Sequence, residues 1–320
     1  MKTSLRHLYL LLLAILASTL LWACSRNVDN NSTSLNHPTE DCRVVQHQMG
    51  ETCIPRNPQR VATLWMSTFS SALALGIKPI ANIWIPGQPL PGYLRDKTDE
   101  VEFVGSLGEP NLEKILRLKP DLILSNSRMQ NMYDQLTYIA PTVVLEYYDP
   151  PPWQKHLKDV AKVLDKEQES SQLIKDYWRK VEQVKQAMND CCRNIQVSVV
   201  RFYPGHGLSL YGNESPVGKV IRDIGLKRPP SQDGDFEGLG NLSLEQLPEI
   251  DGDVLFLVAL KGESTQKTLE TLQRHPLWQN LKAVQQHRVY FVDFSHWYAF
   301  DVLAMNAVLD DLEKYLINTP

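Results

Sequence analysis

Residues 111–124 read NLEKILRLKPDLIL, and residues 243–256 read SLEQLPEIDGDVLF. Laid together without a gap, 132 positions apart, Leu112 meets Leu244, Glu113 meets Glu245 and Ile115 meets Leu247. Leu118 then meets Ile250, and Asp121 meets Asp253. Each copy reads as a short helix, a turn and a buried strand. Asn111 and Ser243 are good N-caps, because a short polar side chain accepts from the orphan N–H groups of a first turn; Ser243 with Gln246 spells a capping box. Pro120 and Gly252 stop the helices, and the apolar runs that follow have strand length. Two copies of one unit, far apart, imply two related lobes. Each copy also sets a Glu in its first turn, off the apolar stripe, where the helix dipole favours negative charge.

Outward from the repeats, strands alternate with helices. Val61–Trp65 reads as a strand, followed by a helix that Ser67 or Thr68 can cap and that ends at Leu75-Gly76. Pro79–Trp84 and the run IAPTVVLEYY read as further strands, a βαβα order that implies a mostly parallel sheet. Residues 153–187 differ: they are long, charged and free of Gly and Pro. Leu157, Val160, Ala161 and Leu164 are helix-spaced, as are Leu173, Tyr177, Val181, Val184 and Met188. We expect two helices with a break near Lys166–Glu169, the second about 30 Å long and placed as a strut between the lobes. The stripe is too short for a coiled coil. Beyond it, IQVSVVRF reads as a strand, Ser215-Pro216 opens a helix ending at Ile224-Gly225, and HRVYFVDF is a last strand before a helix near Asp301–Leu316.

Lys2, Arg6 and His7 precede an apolar run ending in LWAC, the order of an export signal closed by a lipidation site. The expected organisation is a signal at 1–23, a polar tether at 24–41 lipidated on Cys24, an N-terminal lobe at 42–166, a linking helix at 167–190 and a C-terminal lobe at 191–320. The formal charge of −4 becomes −6 once Lys2 and Arg6 are removed, which argues against a nucleic-acid partner. In an oxidising compartment Cys42 and Cys53, flanking a hairpin, are expected to pair. Cys191 and Cys192 are left unassigned.

These residues resemble the iron-siderophore and cobalamin branch of ABC-transporter solute-binding proteins. The carriers are GETCIPRNPQRV, GEPNLEKILRLKPDLIL, IAPTV, VSVVRF, LSLEQLPEIDGDVLFL and HPLWQNLKAVQQHRVYFVD. The resemblance implies an α/β fold of two Rossmann-like lobes with mostly parallel central sheets joined by one long helix (the class III periplasmic-binding-protein architecture). It also implies that Glu113 and Glu245 dock onto arginines of a permease dimer. Without it, each Glu would only offset a helix dipole.

In open α/β sheets, ligands sit outside the carboxyl ends of strands. Looking there, the expected ligand-binding residues are Arg201, Arg128, Trp65, Trp84, Tyr148, Tyr211 and Trp297, with Tyr147, Tyr203 and Tyr298 nearby. Aromatics give broad walls, and arginine gives a fixed fork for anionic oxygens. The expected ligand is an anionic ferric siderophore of carboxylate or hydroxamate type; the stretch GSLGEP lacks the Arg that hydroxamate-binding relatives can carry there. No cofactor and no direct metal ligand are expected, with His206 and His296 given packing or polar roles. Cobalamin, haem or free ferric ion are the alternatives within the class. An exported metal-dependent enzyme is a further one, disfavoured because no GxSxG, P-loop or HExxH motif occurs. A scaffold or adhesin is another. The expected protein is a lipid-anchored monomer outside the cytoplasm.

Overall fold

The computed structural model describes residues 42–84, 91–147, 152–189, 192, 194–203, 207–259 and 263–317. The signal, the tether with Cys24, and Tyr148 lie outside the described residues.

The N-terminal half opens with a hairpin, β1 (Cys42–His47) and β2 (Gly50–Pro55), closed by a Cys42–Cys53 disulfide. Then come β3 (Val61–Thr63), α1 (Met66–Ala74), β4 (Ala81–Asn82), β5 (Glu102–Phe103), a two-residue pair β6 (Gly105–Ser106) and β7 (Glu109–Pro110), and α2 (Leu112–Leu118). β8 (Leu122–Asn126), α3 (Tyr133–Thr137) and β9 (Thr142–Leu145) complete it. Its sheet runs β5-β4-β3-β8-β9 and is wholly parallel. α1 starts directly after Trp65 with no side-chain cap. Thr68, expected as a cap, is instead buried, its hydroxyl 3.2 Å from Nε2 of His156.

Two helices follow, α4 (Trp153–Leu164) and α5 (Glu167–Asn189). The break falls at Asp165, which takes a left-handed conformation (φ 57°) and ends α4. The C-terminal half holds β10 (Val197–Tyr203), β11 (Gly207–Tyr211), α6 (Pro216–Ile224), β12 (Gly238–Leu242), a 3-10 turn at Leu244–Ile250, and β13 (Val254–Ala259). Short helices α7 (Glu263–Gln273), α8 (Pro276–Gln279) and α9 (Lys282–Gln285) lead to β14 (Val289–Asp293), α10 (Phe294–Trp297) and α11 (Val302–Leu316). The sheet order is β12-β11-β10-β13-β14. β10, β13 and β14 are parallel, whereas β11 and β12 are antiparallel. The two antiparallel strands were not foreseen. A link of three residues between β10 and β11 permits only a hairpin, since a parallel return needs a crossover of a dozen or more. The second copy of the repeat is 3-10 rather than α because Pro248, inside it, has no N–H to donate.

The repeat has a common structural purpose. β8 and β13 are each fourth in their sheets, beside the central strand, β3 or β10. Asp121 accepts from the backbone N–H groups of Gln59 (2.7 Å) and Arg60 (2.9 Å), just ahead of β3. Asp253 likewise accepts from Gln196 N–H (2.7 Å), just ahead of β10. Each Asp therefore sets the register of its strand against the neighbour.

α5 buries Tyr177, Val181, Val184 and Met188 along one stripe, packed with α4, α6 and α11. Burying each such side chain contributes about 1.5–3 kcal/mol. The two halves also touch at a 3-10 turn (Gly92–Lys97), where the Tyr93 hydroxyl donates to Asp301 Oδ2 (3.0 Å), the carboxylate that caps α11. Cys192 is buried, its Sγ 3.3 Å from the Leu316 carbonyl oxygen.

His156, on α4 against α1, is buried, and burial lowers its pKa to about 4. The unfolded chain therefore binds a proton that the fold excludes. Its contribution is intact above pH 6.5 and is lost as pH falls from 6.5 towards 4, a drop of up to about 3 kcal/mol. Urea midpoints across this range should fall steeply in the native chain and more shallowly in His156→Leu. Parallel curves would show that His156 is not the group responsible.

Candidate functional site

Both lobes direct the carboxyl ends of their parallel strands to loops rich in aromatic side chains. In the N-terminal lobe Trp65 follows β3, Arg128 follows β8 and Tyr147 follows β9. Asn126 ends β8, and its side chain accepts from Arg128 N–H (3.1 Å), which starts a 3-10 turn and fixes where the Arg128 stem leaves the sheet. The guanidinium of Arg128 lies 4.8 Å from the Tyr147 ring centre, and its Nη1 is 3.4 Å from the Tyr147 hydroxyl. The Tyr147 ring meets Trp65 edge to face at 5.4 Å. Trp65, Tyr147 and Arg128 form one wall. Trp84 belongs elsewhere: it follows β4 and packs on Phe103 (6.0 Å) towards the far edge of the sheet.

In the C-terminal lobe Arg201 projects from β10 itself, paired with Ser209 of β11 and Val258 of β13. By strand alternation it shares a face with Val197 and Val199, which are core. Its guanidinium lies 5.9 Å from the Tyr211 ring and 5.7 Å from the Tyr298 ring. Those two rings are nearly parallel, 6.5 Å apart, and Phe294 stacks on Tyr298 at 5.0 Å. Arg201 Nε and the Tyr211 hydroxyl are both buried without a hydrogen-bond partner. Burial drives the Tyr211 phenol well above its usual pKa, with nearby Arg201 opposing the shift, so it remains a donor at neutral pH. Among the described residues, neither Arg128 nor Arg201 has a carboxylate partner. An unneutralised guanidinium held over aromatic faces, with donor capacity unspent, is arranged for an anionic oxygen and a flat organic surface.

Besides Trp84, a second expected wall residue lies away from the walls. Trp297 is wholly enclosed, packed against Phe256 (4.8 Å), and its indole N–H donates to Asp311 Oδ2 (2.8 Å). It is a core residue of α10, because the short helix turns its ring inward and leaves the neighbouring Tyr298 outside. Tyr211 is also buried, at 2% exposure with its hydroxyl covered, so it backs Arg201 rather than facing solvent. Phe294 was missed; an aromatic at the end of an apolar strand carries no mark distinguishing wall from core.

Glu113 and Glu245 are exposed in the first turns of α2 and of the 3-10 segment. Asn111 caps the first (Lys114 N–H to Oδ1, 2.9 Å), and the Ser243–Gln246 capping box holds the second. Their carboxylates are thus well oriented and solvent-facing.

A family model described as "Periplasmic binding protein" matches residues 68–295. The chain is 34% identical to a probable siderophore-binding lipoprotein, YfiY, of Bacillus subtilis (strain 168), covering 98% of this chain and 99% of that protein. It is 31% identical to the Fe(3+)-citrate-binding protein YfmC of the same organism, over 89% of each chain. Among solved structures, Staphylococcus aureus SirA complexed with staphyloferrin B superposes with a TM-score of 0.70 at 29% identity, covering 86% of this chain and 98% of that one.

Because the Tyr211 hydroxyl is buried and unpaired, Tyr211→Phe should leave thermal stability unchanged or raise it, by up to about 1 kcal/mol. A clear loss of stability in a thermal melt would mean the hydroxyl is bonded within the protein.

Proposed function

The chain belongs to the periplasmic binding protein family, and from that premise we propose that it captures an anionic ferric siderophore for an ABC importer. The observation that carries this reading is Arg201. Its charge is permanent, no described carboxylate is ion-paired with it, and it lies over Tyr211 and Tyr298 with a buried N–H unspent. A chelate with carboxylate or hydroxamate oxygens completes those bonds, and its organic body lies on Tyr298. Arg128, over Tyr147 and beside Trp65, offers a second charged contact from the other lobe. The similarity to an Fe(3+)-citrate-binding protein supports a carboxylate-bearing chelate. The iron arrives inside its chelate, so the protein needs charge and surface rather than metal ligands of its own.

In this reading the lipid on Cys24 keeps the protein at the outer face of a membrane. Glu113 and Glu245 present the loaded protein to the permease. Capture and docking are divided: the cleft arginines and aromatics hold the cargo, while the two carboxylates meet the transporter.

Quenching of intrinsic tryptophan fluorescence should saturate at or below about micromolar ferric chelate, and the iron-free chelate should bind more weakly. Arg201→Ala should weaken binding about 10- to 100-fold, the scale of lost hydrogen bonds to a charged group. If no ferric chelate quenches in that range, the proposed cargo is wrong. Reversing both docking charges (Glu113→Arg with Glu245→Arg) should leave this titration unchanged and abolish uptake into cells. Loss of binding in that variant would refute the division of labour.

A further inference from the structure

Tyr211 is shared by two arginines. Arg201 lies 5.9 Å from its ring, and Arg228 bonds to its carbonyl. Arg228 opens the stretch RPPSQ, residues 228–232, which follows α6 and turns back on itself, with Gln232 N–H donating to the Pro229 carbonyl (2.9 Å). The turn brings Arg228 and Gln232 together inside the lobe, at 6% and 0% exposure. Arg228 Nη2 donates to the Tyr211 carbonyl (2.5 Å) and to Gln232 Oε1 (2.9 Å). Gln232 in turn reaches the strand that carries Arg201. Its Oε1 accepts from Val199 N–H (2.8 Å), and its Nε2 donates to the Ser198 hydroxyl (2.7 Å). The local reason is the end of a ladder: β11 pairs with β10 from Val200 onwards, and Gly212 N–H turns away to the Glu237 carbonyl. Gln232 supplies the acceptor that Val199 needs.

These bonds use one nitrogen of the guanidinium. Arg228 Nε and Nη1 are buried without a partner. Among the described residues no carboxylate is ion-paired with Arg228. Asp233 bears on its charge, but Asp233 is exposed and bonded to Asn213 (3.0 Å). Glu237, on the same loop, acts on the Tyr211 phenol. Burial lowers the Arg228 pKa to about 10, so the group keeps its charge at neutral pH. An uncharged donor could make the same bonds without the cost of burying a cation. Water screens an exposed carboxylate, and screens a buried guanidinium much less. The positive field of Arg228 is therefore felt where Tyr211 meets Arg201.

Resting on the capture reading above, we infer that Arg228 is a second determinant of the cargo's charge, acting on the bound anion across Tyr211 without touching it. Arg201 supplies contact and direction, and Arg228 supplies field. A unit charge acting over about 10 Å at an effective dielectric of about 20 changes a binding constant roughly 10-fold. The cleft consequently favours chelates that carry several negative charges over neutral ones.

The test separates charge from bonding in the full-length chain, with ferric citrate as the probe and tryptophan quenching as the readout. Arg228→Met should weaken binding about 10-fold, and Arg228→Lys should restore most of the loss. Titration at about pH 6.5 keeps a partly desolvated lysine protonated. Gln232→Glu is the sharper variant. A carboxylate there keeps the bonds from Arg228 and from Val199 N–H, and the Ser198 hydroxyl can turn to donate to it. It cancels the charge of Arg228 and leaves the bonding in place. It should also weaken binding about 10-fold, with no fall in melting temperature. A purely structural Arg228 gives the reverse pattern: Lys as weak as Met, and Gln232→Glu as tight as the native chain. Either of those results overturns the inference, and the Lys variant decides it alone should Gln232→Glu not fold. If the native chain does not bind ferric citrate, the carboxylate-chelate reading has failed, and this inference fails with it.

Discussion

Tyr177 is the point on which the arrangement of the two lobes depends. It sits on the linking helix, wholly buried, with its ring against Trp153 (4.9 Å) and its hydroxyl donating to Asp223 Oδ2 (2.7 Å). Trp153 opens the helix that packs on the first sheet, and Asp223 belongs to the helix that packs on the second. One side chain therefore makes an apolar contact with one half and a polar contact with the other. The helix that carries it cannot stretch or shorten without breaking backbone hydrogen bonds, and its 23 residues span about 34 Å. Val181, Val184 and Met188 extend the same buried stripe towards the last helix. The strands that lead to the two arginine-and-aromatic walls share one apolar cluster with this stripe.

The repeat that opens the sequence argument follows from the same need for exact placement. Asp121 and Asp253 look like turn residues in the sequence, and in the structure each ties a neighbouring strand's first N–H groups to its own strand. A carboxylate accepting backbone N–H bonds is a strong interaction for its size. It explains why the two copies keep an Asp at the same step while their outer faces diverge. Internal register is common to the lobes; the charge on the exposed side of the repeat is not.

Much of this was legible in one sequence because it depends on periodicity and on caps. The helix-spaced stripe from Leu173 to Met188 marked the linking helix, and Pro120, Gly225 and Asn111 marked ends that the structure reproduces. What the sequence concealed depends on contacts between distant residues. Pro248 turns the second repeat into a 3-10 segment, an outcome visible in hindsight from the missing N–H. The strands Gly207–Tyr211 and Gly238–Leu242 are short and contain Gly, so their pairing became clear only from the three-residue link. Trp297 and Tyr298 are adjacent, equally aromatic and equally near a strand end. Only the direction in which a four-residue helix faces makes one core and the other surface.

Under the proposed function, Arg201 is an interior position given a binding role. It occupies a strand whose alternate residues, Val197 and Val199, are fully buried, so its stem is covered and its rotamers are restricted. A charge placed there without an acid costs stability, and aromatic faces offset only part of that cost. Within the protein alone, a Leu at this place would pack better. The unfavourable charge has a physical rationale if the missing anion arrives with the ligand, when the same guanidinium becomes paired, bonded and shielded. The energy withheld from folding is then released on binding, which gives a nearly rigid cleft affinity without requiring it to reorganise.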